Sequence, residues 1–302
     1  MKQPYQKPPL TLEEQIQRLK ERGLDIPDEE EAKEFLKKVQ YSRLRPYWHP
    51  FEKDPQNHNF HPQTTFKDVV LLYELDRKLR LLVIEAVERF EVALRSRWAY
   101  VLAHAGGPFA YTQGHFFHRK DWHKEDLEAI RKEWERAVEH DPIFRNYRNK
   151  YGQSDPPIWL IVECASFGTL SRFLGNIADS NLGKDISEPF ELPFSFLQSA
   201  TKHLVVVRNI AAHHSRLWDR ELTAYTLPYI RKHPSELKEA MDATTAPQRI
   251  YRTLALLLYI MEKLHPEDGW KNRLLDLLKD FGEHLHTRMG FPRNYRNLKL
   301  WS

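Results

Sequence analysis

An arginine, an asparagine and two histidines crowd into the stretch 204–220, LVVVRNIAAHHSRLWDR, and their types define a chemistry. Histidine titrates at about pH 6.5, so His213 or His214 could take a proton from a ribose 2′-hydroxyl or give one to a leaving 5′-oxygen. Arg208 stays charged and offers a planar fork to phosphate oxygens, where extra negative charge builds up in the transition state. The set therefore suits cleavage of an RNA phosphodiester, and the scheme needs no metal. In-line displacement wants its base and its acid on opposite sides of the phosphorus, and one histidine cannot do both jobs in one step. Adjacent His213 and His214 point about 100° apart if both are helical. A two-fold dimer that sets two copies of the motif face to face supplies both partners from one sequence, so a homodimer is expected.

Spacing alone is weak support for this chemistry. Arg43 and His49, and again Arg97 and His104, stand at similar separations. A histidine near a helix C-terminus is also favoured by the helix dipole, and an arginine there can simply bond the last carbonyls. Local density weighs the other way. Arg208, Asn209, His213, His214 and Arg216 converge after an apolar run, Leu204, Val205, Val206 and Val207, that is expected to be buried. A second basic and aromatic stretch, YSRLRPYWHPF at 41–51, could stack bases and grip phosphates through Arg43, Arg45, Tyr47 and Trp48, or could pin a loop to the core. His115, His118 and His123, or His58 with His61, have no cysteine or clustered carboxylate to complete a four-ligand metal set. There is no P-loop and no GxGxxG, so no metal or nucleotide cofactor is expected.

The elements that must position these residues are helical. Apolar residues recur every three or four positions at 12–20, from Phe66 through Leu82 and Ala86 to Val101, at 158–177 (Trp159, Val162, Phe167, Leu170, Phe173, Leu174), after Pro193, and at 247–264 and 268–285. Asp28 can cap a helix at 29–39, and a charged helix is expected at 127–140. The run 66–103 reads as one very long amphipathic helix ended by Gly106, Gly107 and Pro108. Asp76 with Arg80, Glu85 with Arg89 and Glu91 with Arg95 fall on its expected solvated face. Glu163 is a lone acid on a mostly apolar helix, which calls for a partner or a function. No strand is expected. The fold class is all-α, with antiparallel helices: an N-terminal helical arm and aromatic/Arg loop at 1–62, and a helical domain at 63–302.

With 302 residues, 41% of them hydrophobic, the chain can bury a real core, and a net charge of +4 permits a polyanionic partner without requiring one. A single cysteine, Cys164, excludes a disulfide framework and fits a reducing compartment. The longest apolar run, 254–261, is too short to span a bilayer, and 1–10 has no signal-peptide character, so a cytoplasmic protein without a membrane partner is expected.

Four segments carry a resemblance. RNIAAHHSRLWDR (208–220), YSRLRPYW (41–48), FKDVVLLYELDRKLRLLVIEAVERFEVALRSR (66–97) and PPIWLIVECASFGTLSRF (156–173) resemble the Abi-like proteins of the AbiD/AbiF group, bacterial phage-resistance factors within the HEPN superfamily. The resemblance implies a HEPN-like antiparallel bundle with one very long helix and extra N- and C-terminal helices, usually dimeric. It implies a metal-independent endoribonuclease of an abortive-infection or toxin-antitoxin-like system, leaving a 2′,3′-cyclic phosphate. Some relatives are held in check by a structured non-coding RNA acting as antitoxin. The superfamily motif (Arg, a polar residue, three variable residues, His) maps onto Arg208, Asn209 and His213, with His214 as neighbour or alternate. A supporting acid on another helix could be Glu163 or Glu91. Arg216 is expected to touch RNA. Two other readings stand beside the nuclease: a non-catalytic protein that binds a cognate RNA, and a structural dimer whose histidines are satisfied in the interface.

Overall fold

The structure, a computed structural model, describes residues 6, 8–54, 56–152, 155–224, 226–228 and 234–302. The described residues form fourteen α-helices and one two-stranded hairpin, so the fold is all-α. They divide into two compact units, Met1–Lys78 and Leu79–Ser302, and the boundary falls inside the long helix rather than at residue 62.

In the first unit, α1 (Leu12–Glu21) starts with a capping box in which Thr11 and Glu14 satisfy each other's backbone N–H groups. Asp28 caps α2 (Glu29–Lys38), whose first turn carries Glu29, Glu30 and Glu31 at the positive end of the helix dipole. The two helices pack together, burying Ile16 and Leu19 of α1 and Ala32 and Leu36 of α2. The aromatic and arginine stretch is itself a helix, α3 (Tyr41–Trp48). A small antiparallel hairpin follows, β1 (Glu52–Asp54) and β2 (Asn59–Phe60), where no strand was expected. Strands this short leave no alternation long enough to read from sequence. The hairpin turn is held by the Asp54 carboxylate, which accepts from the backbone N–H of Gln56 at 2.9 Å.

Thr65 and Asp68 open α4 (Phe66–Gly106), a helix of 41 residues, about 60 Å long at 1.5 Å per residue. Its buried stripe runs Val69, Leu72, Leu75, Leu79, Val83, Ala86, Phe90, Leu94 and Trp98. Leu82, expected in that stripe, is half-buried beside Val83. The expected solvated face holds only in part. Asp76 and Arg80 are buried, at 0% and 4% exposure, and Asp76 accepts a hydrogen bond from the Tyr47 hydroxyl at 2.7 Å. Glu85 pairs with Arg273 and Arg89 with Asp268 rather than with each other, whereas Glu91 and Arg95 form the expected pair four residues apart.

In the second unit come α5 (Lys120–His140), α6 (Pro142–Tyr151), α7 (Ile158–Cys164), α8 (Phe167–Gly175), α9 (Ser180–Ser187) and α10 (Phe194–Ala212). The single helix expected at 158–177 is two, because the chain extends at Ala165 and Ser166 caps a new helix through Thr169 N–H at 3.1 Å. Trp159, expected to be buried, is 56% exposed. The unit ends with α11 (Ser235–Asp242), α12 (Ile250–Leu264), α13 (Trp270–Asp280) and α14 (Glu283–Met289). Gly282, at φ +69°, splits the helix expected at 268–285 into the last two. From Ile250 to Met261 every residue of α12 is buried, which makes it the central helix of this unit. No helix among the described residues is long and apolar enough to cross a membrane.

Candidate functional site

The motif sits at the end of α10, and the rest of that helix is firmly anchored. Phe196, Leu197, Ala200, Leu204, Val207 and Ala211 are buried at three- and four-residue intervals, and the helix packs on α8 and α9. Gln198 donates to the Leu174 carbonyl at the end of α8 at 3.0 Å. His203, also buried, meets the Thr253 hydroxyl of α12 through Nε2 at 2.8 Å. The helix is not buried all round, however. Val205 and Val206 are half-buried, and Lys202, Asn209, Ala212 and His213 are exposed. The polar cluster therefore lies on the open side of a helix whose other side is fixed.

Arg208 is half-buried, while Asn209 and His213 are exposed, and the side chains of all three make no hydrogen bond or ion pair among the described residues. Asn209 and His213, four residues apart, share one stripe of the helix, and Arg208 stands about 140° around the axis from His213 at 100° per residue. The chain then turns sharply. His213 is the C-cap, and His214 occupies the left-handed region at φ +58°, a place usually filled by glycine. Ser215 N–H bonds the Ile210 carbonyl and His214 N–H the Ala211 carbonyl, both at 3.0 Å, which together make a Schellman closure. The two histidines thus do different work in the backbone: His213 ends the helix and His214 reverses the chain. The separation of about 100° expected for two helical neighbours does not apply.

Beyond the turn, Leu217, Trp218 and Asp219 go into the core. Asp219 is 4% exposed, and its carboxylate is held by Arg216 at 3.1 Å and by Arg288 of α14 at 3.0 Å. Arg249, just before α12, donates to the Asp219 backbone carbonyl and pairs with Glu221 at 3.0 Å. Sequence reasoning missed this clamp. The one local signal was an acid directly after two residues, Leu217 and Trp218, apolar enough to be core. Arg216, expected to touch RNA, spends its charge at least in part on Asp219.

The two acids left open by the sequence both belong around α7. Glu91 is bound by Arg95, whose guanidinium also donates to the Val162 carbonyl, and Glu163 is the next residue on α7, exposed to solvent. Among the described residues neither acid bonds to Arg208, Asn209 or His213. On α3 the four expected nucleic-acid contacts separate. Arg43 and Arg45 are exposed, whereas Tyr47 and Trp48 are buried at 2% and 1%. Trp48 meets Tyr41 and Phe60 edge to face, and Tyr47 is tied to Asp76. Neither ring has a face open to a base, because both fill the core of the first unit. Of the histidines weighed as metal ligands, His123 is a core residue: its Nε2 donates to the Tyr111 carbonyl at 2.8 Å and its ring stacks on Phe117. His115 and His118 are exposed. His58 associates with Glu52 and His49, not with His61.

Cys164 is half-buried, and burial pushes its thiol up to about 12. It is therefore no nucleophile at neutral pH.

No curated protein and no solved structure matches the chain. The sequence profile of the Abi-like protein family matches residues 34–219, from α2 through α10 to Asp219. That match covers well over half of the chain and takes in the long helix and the whole motif, and on it the chain belongs to the Abi-like protein family.

Proposed function

We propose that this protein is a metal-independent endoribonuclease of a bacterial anti-phage, abortive-infection system, with an active site completed by a second copy of the chain. The observation that carries the reading is the set Arg208, Asn209 and His213, unpaired among the described residues, with Asn209 and His213 on the open side of an anchored helix and half-buried Arg208 at the edge of that side. An exposed histidine and a half-buried arginine without internal partners are free to engage a substrate. His213 of one copy takes the proton from the ribose 2′-hydroxyl, and the 2′-oxygen attacks phosphorus. The 5′-oxygen leaves with a proton from His213 of the other copy, giving a 2′,3′-cyclic phosphate and a 5′-hydroxyl. Arg208 neutralises the charge that builds on the phosphoryl oxygens, and Asn209 orients them. The half-buried Val205 and Val206, beside the motif, give that side of α10 an apolar strip on which a two-fold partner could close.

The test is incubation of the purified protein with RNA in EDTA. Cleavage is expected to end in a cyclic phosphate and to fall by at least about a hundredfold in Arg208→Ala and in His213→Ala. Mixing the two inactive variants should restore part of the activity by forming dimers with one intact site. Salt-sensitive RNA binding without any cleavage would replace the nuclease reading with that of a non-catalytic RNA-binding protein.

A further inference from the structure

His49, Glu52 and His58 come together in the first unit, where α3 gives way to the hairpin. His49 directly follows α3, Glu52 is the first residue of β1, and His58 directly precedes β2 with its backbone in the left-handed region at φ +60°. Nδ1 of His49 lies 2.7 Å from one carboxylate oxygen of Glu52, and Nδ1 of His58 lies 3.1 Å from the other. One ligand atom from each of the three residues fits within 4.8 Å of the others.

The carboxylate is the unusual member. Its side chain is 1% exposed, against 38% for His49 and 25% for His58. A carboxylate taken so far out of water needs positive charge nearby as well as hydrogen bonds. Among the described residues no lysine or arginine pairs with it, and its side-chain partners are the two imidazoles. Two imidazole nitrogens and a carboxylate oxygen suit zinc and its first-row neighbours, whereas magnesium and calcium prefer all-oxygen sets. Around a tetrahedral zinc with bonds of about 2.0–2.1 Å, ligand atoms stand about 3.3 Å apart. The separations here, from 2.7 Å up to a limit of 4.8 Å, bracket that spacing.

We propose that His49, Glu52 and His58 form a binding site for a zinc-class divalent ion, coordinated through both Nδ1 atoms and the Glu52 carboxylate. The ion fastens the hairpin to the end of α3 and supplies the charge that the buried carboxylate requires. Three protein donors leave a position for water or a further ligand. The site takes no part in the RNA chemistry above, and neither reading depends on the other.

The experiment is calorimetric titration of the chelator-stripped full chain with zinc chloride, with cobalt chloride as an absorption probe and magnesium chloride as control. One zinc per chain is expected, with no magnesium uptake and a higher melting temperature in zinc. Glu52→Gln keeps the shape and removes the charge. His58→Asn removes the imidazole yet accepts the left-handed backbone. Each is expected to weaken zinc binding by at least about tenfold and to abolish the zinc-dependent rise in melting temperature. His49→Gln, at a partly exposed position, carries the same test if Glu52→Gln does not fold. Absence of zinc uptake by the unaltered chain overturns the proposal. So does one-to-one uptake that survives all the foldable variants, because other histidines would then hold the ion.

Discussion

Replacing Asp219 by asparagine tests the clamp behind the motif. The change keeps the side-chain shape and deletes one negative charge at a site 4% exposed, held by Arg216 and Arg288. A hydrogen bond to a charged group is worth about 1.5–3 kcal/mol, and removing one member of a fully buried pair costs about 3–5 kcal/mol. The partners here are not fully buried: the Arg216 and Arg288 side chains are 30% and 43% exposed, so both can turn to water when the carboxylate loses its charge. Solvent screening discounts the loss accordingly, to about 2–3 kcal/mol. In urea denaturation followed by circular dichroism, that loss is a clear fall in midpoint at unchanged slope. Arg216→Ala and Arg288→Ala should each cost less, about 1 kcal/mol, since either leaves Asp219 with its other arginine. The reasoning fails if Asp219→Asn changes stability by under about 0.5 kcal/mol, or by no more than either arginine variant does.

Two further outcomes follow from the same region and from α14. His214→Gly should be more stable than His214→Val by about 1–2 kcal/mol, because both lose the imidazole and only glycine is at ease at φ +58°; equal midpoints would mean that the turn stores no strain. If His213 is the acid–base residue, His214→Gly also keeps RNA cleavage. His286 is buried, with Nε2 donating to the Leu278 carbonyl at 2.8 Å, and burial pushes its pKa below the usual value of 6.5. The depressed value favours the neutral ring in the folded state, so its contribution is complete above about pH 6.5 and is lost as pH falls through the folded pKa. Melting temperatures measured on descending through that range should drop more steeply for the unaltered chain than for His286→Gln, and parallel curves would contradict the assignment.

Local patterns were legible where they were long. The α4 helix was readable from its start at Phe66 almost to its end at Gly106, because its apolar period persists over many turns. Which side of it met water was not legible. The four-residue spacing of Asp76 and Arg80 looks the same on a solvated face as on a buried one, and the hydroxyl that binds Asp76 comes from Tyr47, 29 residues earlier. The motif residues were legible by type and density, but the open side of α10 was not, because Val205 and Val206 read as core. Asp219 was hidden for a different reason: Arg216 stands only three residues away, but Arg249 and Arg288 lie 30 and 69 residues downstream, and no local period encodes such a distance. His49, Glu52 and His58 escaped because they span a helix end, a strand and a turn, which share no common spacing, and His58 was matched with the histidine nearest in sequence.

The order in which the chain is synthesised gives the clamp another meaning. Every residue of the motif, and Asp219 itself, is joined to the growing chain before Arg249, Thr253 and Arg288. Until then His203 lacks its hydroxyl partner on α12, and Asp219 lacks both the arginine of α14 and the one that binds its carbonyl. A nascent or prematurely ended chain therefore carries the motif on a helix that α8 and α9 can already hold but that lacks its contact with α12. Residues 249–288 complete the support of this region only after the motif itself has been synthesised.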